Sequence, residues 1–164
     1  MKPTAVLIGP PAAGKTRLGK AVARIFDVPF VDTDVRITEK HGSIPEIFAT
    51  HGEERFRQWE REEVVRALAE DGIVSLGGGA VENADTRRDL SEQLVALISV
   101  SADAVEPRLA NDKRPLLDGI ESWKTLVERR QPLYDELATI TVDTSVGPMD
   151  HHAERLAEML RAAS

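Results

Sequence analysis

Ala5-Val6-Leu7-Ile8-Gly9-Pro10-Pro11-Ala12-Ala13-Gly14-Lys15-Thr16 is the stretch on which the reading of this chain turns. Four consecutive apolar residues running into a glycine predict a strand buried on both faces, since neither side alternates with polar residues. The residues from Gly9 to Thr16 fit G-x-x-x-x-G-K-[ST]. Leu18, Ala21, Val22 and Ile25 then recur at helical spacing between Lys15 and Phe26. A strand, a glycine-bounded turn and a helix in that order make an anion cradle. Successive backbone N–H groups curl around a phosphate and the helix N-terminus adds its dipole. Pro10 and Pro11 bring no N–H, but they come early; the donors of Ala13, Gly14, Lys15 and Thr16 are intact. Lys15 adds a charge for the β- and γ-phosphates, and the Thr16 hydroxyl suits Mg²⁺.

Outward from this turn, the chain alternates strands and helices. Pro29 to Asp32, Ile73 to Leu76, Leu94 to Val100 and Thr139 to Asp143 read as further strands. Helices are predicted from Thr33 or Asp34 (as cap) to Lys40, from Ser43 to about His51-Gly52, and from Glu53 to Glu70. Others follow over Asp85 to Gln93, from Ser101, from Ser122 to Gln131, and over Pro148 to Ala162. Such alternation predicts an α/β fold, a parallel sheet covered on both faces. Asn111 to Gly119 has no period and is the candidate lid. Neither repeats nor linkers interrupt the pattern, so residues 1–164 are expected to form one domain.

Composition narrows the class. A formal net charge of −7 disfavours nucleic acid as a partner, and the absence of cysteine removes disulfides, thiolate metal sites and cysteine nucleophiles. No apolar run is long enough for a signal peptide or a membrane span. A cytoplasmic monomer without a membrane partner is expected.

The remaining candidates are charged residues near strand ends. Asp32 and Asp34 flank Thr33 where ligands sit in open α/β sheets. Asp32 suits the water shell of Mg²⁺, and Asp34 suits an acceptor hydroxyl; helix capping is the competing role. Gly77-Gly78-Gly79 permits close backbone approach to a ligand, or simply a turn. Arg57 and Glu60 have the spacing of an ion pair on one helix. Arg114 and Arg130 each read as surface residues when taken alone, although a planar guanidinium suits carboxylate or phosphate clamping. Trp59 and Trp123 read as packing residues, and His151-His152 as a solvated helix turn.

Taken together, these segments resemble the shikimate kinase family. The phosphate loop is shared with many families. More specific is the ordered set Val31-Asp32-Thr33-Asp34, Ile44 to Glu60 (IPEIFATHGEERFRQWE), Ser75 to Val81 (SLGGGAV), Arg114-Pro115-Leu116-Leu117 and Arg130-Gln131-Pro132-Leu133-Tyr134. The resemblance runs from about Ala5 to Ser145. It implies a P-loop NTPase fold of the nucleoside-monophosphate-kinase type, a five-stranded parallel sheet in the order 2-3-1-4-5 with a lid at about 109–120. It implies transfer of the ATP γ-phosphoryl group to the 3-hydroxyl of shikimate, giving 3-phosphoshikimate and ADP with Mg²⁺ as cofactor. Ala12, Ala13, Gly14, Lys15, Thr16, Arg17 and Arg108 would serve the nucleotide, Arg108 by packing on adenine. Thr16 and Asp32 would serve the metal. Within an acceptor segment at about 33–61, Asp34 and Arg57 would bind shikimate, joined by Gly78, Gly79 and Arg130. Glu60 would orient the arginines. Lys15, Asp34 and Arg114 would be catalytic.

Two departures stand out. Ala12 occupies a position where the family usually has glycine, which strains the loop if φ is positive there. Arg17 stands where a second hydroxyl residue is common. Rival readings are another small-metabolite kinase, such as a gluconate kinase, and a nucleotide-binding regulatory module without turnover.

Overall fold

A computed structural model describes residues 2–109 and 119–164. Its centre is one parallel sheet of β1 (Ala5–Ile8), β2 (Phe30–Asp32), β3 (Ile73–Ser75), β4 (Val95–Ser99) and β5 (Ile140–Asp143). The order is β2-β3-β1-β4-β5, as the resemblance implies. β1 is therefore central: Val6 pairs with Val74 on one side and with Val95 on the other.

Alternation along each strand sorts the core into two layers. Leu7, Ile73, Ala96 and Ile98 face one side, where they meet Leu18 and Val22 of α1 (Lys15–Phe26) and Leu156 and Leu160 of α7 (Met149–Ala163). Val6, Ile8, Val74 and Leu97 face the other side, against Val64 of α3 (Ile44–Ala67) and Tyr134 of α6 (Gly119–Leu137). β1 is continuously apolar because both of its faces are covered. The stripe on α1 stops short of the expected length, since Ile25 is 39% exposed.

Several helix boundaries differ from expectation by a few residues, and two have a clear physical reason. α2 (Thr33–His41) is capped by Asp32, not by Thr33 or Asp34: Asp32 Oδ1 accepts from the backbone N–H of Asp34 at 2.9 Å and of Val35 at 3.3 Å. α6 runs past Pro132 to Leu137. Pro132 cannot donate to the carbonyl four residues back, which normally ends a helix. Here Leu133, Tyr134 and Leu137 all pack on the sheet, and that burial outweighs the missing bond.

α3 is broken, as the sequence suggests, at Gly52 (φ 84°, ψ 167°). Ser43 caps its first half, accepting from Glu46 N–H. A small third cluster of Ile37, Ile47, Phe56 and Trp59 seats α2 on both halves of α3. α4 (Ala84–Leu90) and α5 (Ala102–Leu109) complete the helices, and the segment after β3 holds a 3-10 turn at Ala80–Glu82 that sequence reasoning missed. Among the described residues no helix is long and apolar enough to cross a membrane.

Candidate active site

The parallel sheet delivers the loops after β1, β2 and β3 to one edge, and a cleft of about 490 Å³ opens there. Its lining includes Lys15, Asp34, Arg57, Gly79, Arg108 and Arg130.

On the β1 side, Lys15 Nζ folds back to donate to the carbonyls of Gly9 at 2.7 Å and Pro10 at 2.9 Å. Ala12 has φ 67°, the left-handed conformation that L side chains disfavour. The condition for strain set out from the sequence is therefore met. Thr16 Oγ1 donates to Asp32 Oδ2 at 3.1 Å, so hydroxyl and carboxylate stand together at the start of α1. Asp32 caps α2 with one oxygen, the competing role weighed for it, and meets Thr16 with the other. Arg17 is exposed at the cleft wall. Arg108, at the end of α5, donates to the carbonyls of Ala12 at 2.8 Å and Thr144 at 2.9 Å.

On the β3 side, the glycines after the strand leave room for charged groups. A methyl at Gly79 would sit 2.6 Å from Arg57 Nη1 and 2.7 Å from Arg130 Nη2; one at Gly77 would sit 2.6 Å from Asp34 Oδ1. Arg57, Arg130 and Asp34 thus converge on backbone that only glycine supplies. The sequence alone does not show this convergence.

Arg57 donates to Glu60 Oε1 at 2.9 Å, and its other nitrogen reaches Glu53 at 3.5 Å. Glu60 is 5% exposed at its side chain. Burial pushes its carboxyl up, from 4.5 to about 7; Arg57 opposes that rise and nearby Asp34 adds to it. Arg57 itself is held above its ordinary value: burial works against its charge, but Glu60, Glu53 and Glu82 together outweigh it.

Sequence reasoning missed the supports of Arg130. Glu82 Oε2 accepts from Arg130 Nε at 3.0 Å and from Arg129 Nη2 at 3.2 Å. Burial acts to raise the Glu82 carboxyl, yet the two arginines win and hold it below its ordinary value. Tyr134, whose hydroxyl burial pushes up to about 12, donates to the Gly78 carbonyl at 2.8 Å. A glutamate three residues beyond a triple glycine, and a tyrosine four residues after an arginine, were the available signals. The histidine reading needs correction: His152 is 4% exposed and packs in the interior, while His151 is exposed. Arg114 and most of the candidate lid lie outside the described residues.

A family model described as shikimate kinase matches residues 11–161. A shikimate kinase of Thermobifida fusca (strain YX) is 44% identical over 167 aligned positions, which span 99% of this chain and 97% of that one. The chain belongs to the shikimate kinase family. It is an ATP-using phosphotransferase that phosphorylates shikimate, a step of aromatic amino-acid biosynthesis. The shikimate kinase from Acinetobacter baumannii, solved in complex with shikimate, superposes with a TM-score of 0.92 at 30% identity, covering 100% of this chain and 95% of that one. A gluconokinase from Sinorhizobium meliloti 1021 superposes with a TM-score of 0.59 at 19% identity over 98% of this chain and 96% of that one, which shows a shared fold alone. Membership in the shikimate kinase family also sets aside the regulatory module as the reading of the whole chain.

Proposed function

We propose that the cleft moves the γ-phosphoryl group of MgATP to the 3-hydroxyl of shikimate, with the nucleotide on the β1 side and the acceptor on the β3 side. The observation that carries this division is the convergence of Arg57 and Arg130 around Gly79, with Asp34 beside Gly77, in the same cleft as Lys15. Two guanidinium groups suit the single carboxylate of shikimate, and Asp34 suits its ring hydroxyls as acceptor and base. Phe48, Phe56 and Ile44 line the same end and match the apolar edge of the ring. The acceptor segment at about 33–61 then corresponds to α2 and most of α3.

On the nucleotide side, the backbone N–H groups of Ala13 to Thr16 cradle the phosphates and Lys15 leaves its own loop carbonyls to meet them. Ala12 and Arg17 flank that cradle, and Arg108 is assigned to the adenine end. Arg114 is assigned to the γ-phosphate. The Thr16 hydroxyl and Asp32 carboxylate fit Mg²⁺, which takes few protein oxygens and keeps phosphates and water as its other ligands. When bound, Mg²⁺ would supply charge neutralisation at the β- and γ-phosphates. What the protein adds is positioning and fixed charge, the main levers in phosphoryl transfer.

The test is ADP release from MgATP with shikimate, with gluconate and with no acceptor. Release that needs shikimate, and falls by about 100-fold or more in Asp34→Asn, supports the assignment. In Arg57→Ala the larger change belongs in KM for shikimate. Turnover on gluconate alone would sink the acceptor assignment. A cytoplasmic monomer is proposed as the working form. In support, among the described residues the large exposed apolar side chains Ile25, Val35, Val65, Val146 and Met159 come from separate parts of the chain. Light scattering at working concentration decides that point.

A further inference from the structure

Five consecutive carbonyls of the phosphate loop are each held by a side chain. Lys15 takes Gly9 and Pro10. Trp123 Nε1 donates to Pro11 at 2.8 Å, Arg108 Nη1 to Ala12 at 2.8 Å, and Thr144 Oγ1 to Ala13 at 2.6 Å. Lys15 belongs to the loop's own helix, but the other three donors come from α6, α5 and the residue just after β5. Trp123 is 3% exposed and Thr144 is 1% exposed, so neither hydrogen bond has water as a ready substitute.

A trans peptide is a rigid plane in which the carbonyl of one residue and the N–H of the next point in opposite directions. Holding a carbonyl from behind therefore aims the following N–H forward. Trp123 aims the N–H of Ala12, Arg108 that of Ala13, and Thr144 that of Gly14. The conformation so fixed is the one that puts Ala12 in left-handed space, where alanine would not rest unaided. Thr144 acts twice, because its own carbonyl also holds Arg108.

We propose that Thr144 and Trp123 are positioning residues for nucleotide binding, which lock the peptide planes on either side of the Ala12–Ala13 peptide that Arg108 holds, and so let a non-glycine residue serve at position 12 of the cradle. The proposal rests on reading Gly9–Thr16 as the phosphate site. It goes beyond that reading by assigning the cradle's shape to two buried side chains remote in sequence. With glycine at position 12 the left-handed conformation carries no side-chain penalty, so the same locks matter less.

The experiment is steady-state kinetics with ATP and shikimate varied separately, on Thr144→Val, Thr144→Ser and Trp123→Phe, each in the Ala12 and the Ala12→Gly background. Losing a buried donor is expected to raise KM for ATP about tenfold in Thr144→Val and Trp123→Phe. KM for shikimate and kcat should stay within about twofold. Thr144→Ser, which keeps the hydroxyl, should restore KM for ATP. In the Ala12→Gly background the rise should shrink to about threefold or less. An unchanged KM for ATP in the folded variants overturns the proposal, as does an equal rise in both backgrounds. If Thr144→Val does not fold, Trp123→Phe decides by the same criteria. Lys15→Met separates the two levels: if it leaves ATP use intact, the phosphate-site reading itself is wrong. If it abolishes ATP use while the lock variants behave as wild type, only this inference fails.

Discussion

Glu60 is a carboxyl group placed where water barely reaches it, one turn from the arginine it holds. Its value of about 7 in the fold lies above the 4.5 of an unhindered glutamate. The folded state thus holds its proton more tightly than the unfolded chain does. The stability linked to this proton is fully present below the unfolded value and is lost as pH rises toward 7. Glu60→Gln should remove that dependence, so the melting temperature of the variant should decline less than that of wild type between pH 5 and pH 7.5. Parallel melting curves for the two proteins across this range would argue against a buried, protonatable Glu60. Glu82 is the other residue whose task is to hold an arginine. Glu82→Gln keeps the shape but lowers the charge facing Arg130, and should raise KM for shikimate roughly tenfold with kcat little changed. A fall in kcat with KM unmoved would show that Arg130 works on the transferring group and not on the acceptor. Of these residues, Arg57, Glu60 and Arg130 were legible in the sequence, the first two from their spacing and all three from their family segments. Glu82 was not legible. Its partner Arg130 lies on α6, and only tertiary packing brings that helix beside the 3-10 turn at Ala80–Glu82.

At the scale of elements, local chemistry predicts well where each signal is self-contained. The phosphate loop, the Ser43 cap and the break at Gly52 follow from a few adjacent residues. The Asp32 cap and the run of α6 through Pro132 do not. The first turns on which of three neighbouring side chains swings toward the helix, and the second on apolar burial beyond the proline. Gly52 offers a clean test of backbone strain, because a methyl built there meets nothing within 4 Å. Gly52→Ala should therefore cost about 1–3 kcal/mol through the dihedral alone, read as a shift in the urea midpoint at constant m-value. A neutral result would mean that α3 straightens or shifts to absorb the residue. By contrast, Leu7→Ala opens a hole in the centre of the sheet and should cost about 2–5 kcal/mol.

For the molecule as a whole, the sheet order and the two-layer core were readable from the alternation of strands and helices together with family resemblance. The convergence of side chains from α2, α3 and α6 was not, since residues far apart in sequence carry no spacing signal. The site joins the nucleotide and acceptor sides through one sheet edge, so ligands should stabilise the entire fold. Shikimate at about one hundred times its Kd should add about 2.7 kcal/mol, or several degrees in Tm for a chain of this size. Arg57→Ala should lose that shift while keeping the shift from ATP. Loss of both shifts would mean that the substitution damages the fold and not the acceptor site.

The central place of β1 also governs the order in which a ribosome can complete this protein. Ala5 pairs with Ile73 and Val6 with Val95, so the first strand made must wait for both neighbours. At about 5–20 residues per second that wait lasts several seconds, during which an apolar strand has no sheet to join. The loop that follows it waits longer still, because Thr144, which holds the Ala13 carbonyl, lies 131 residues downstream of it. Nascent chains released before β5 lack this hold and should bind nucleotide more weakly than the full chain.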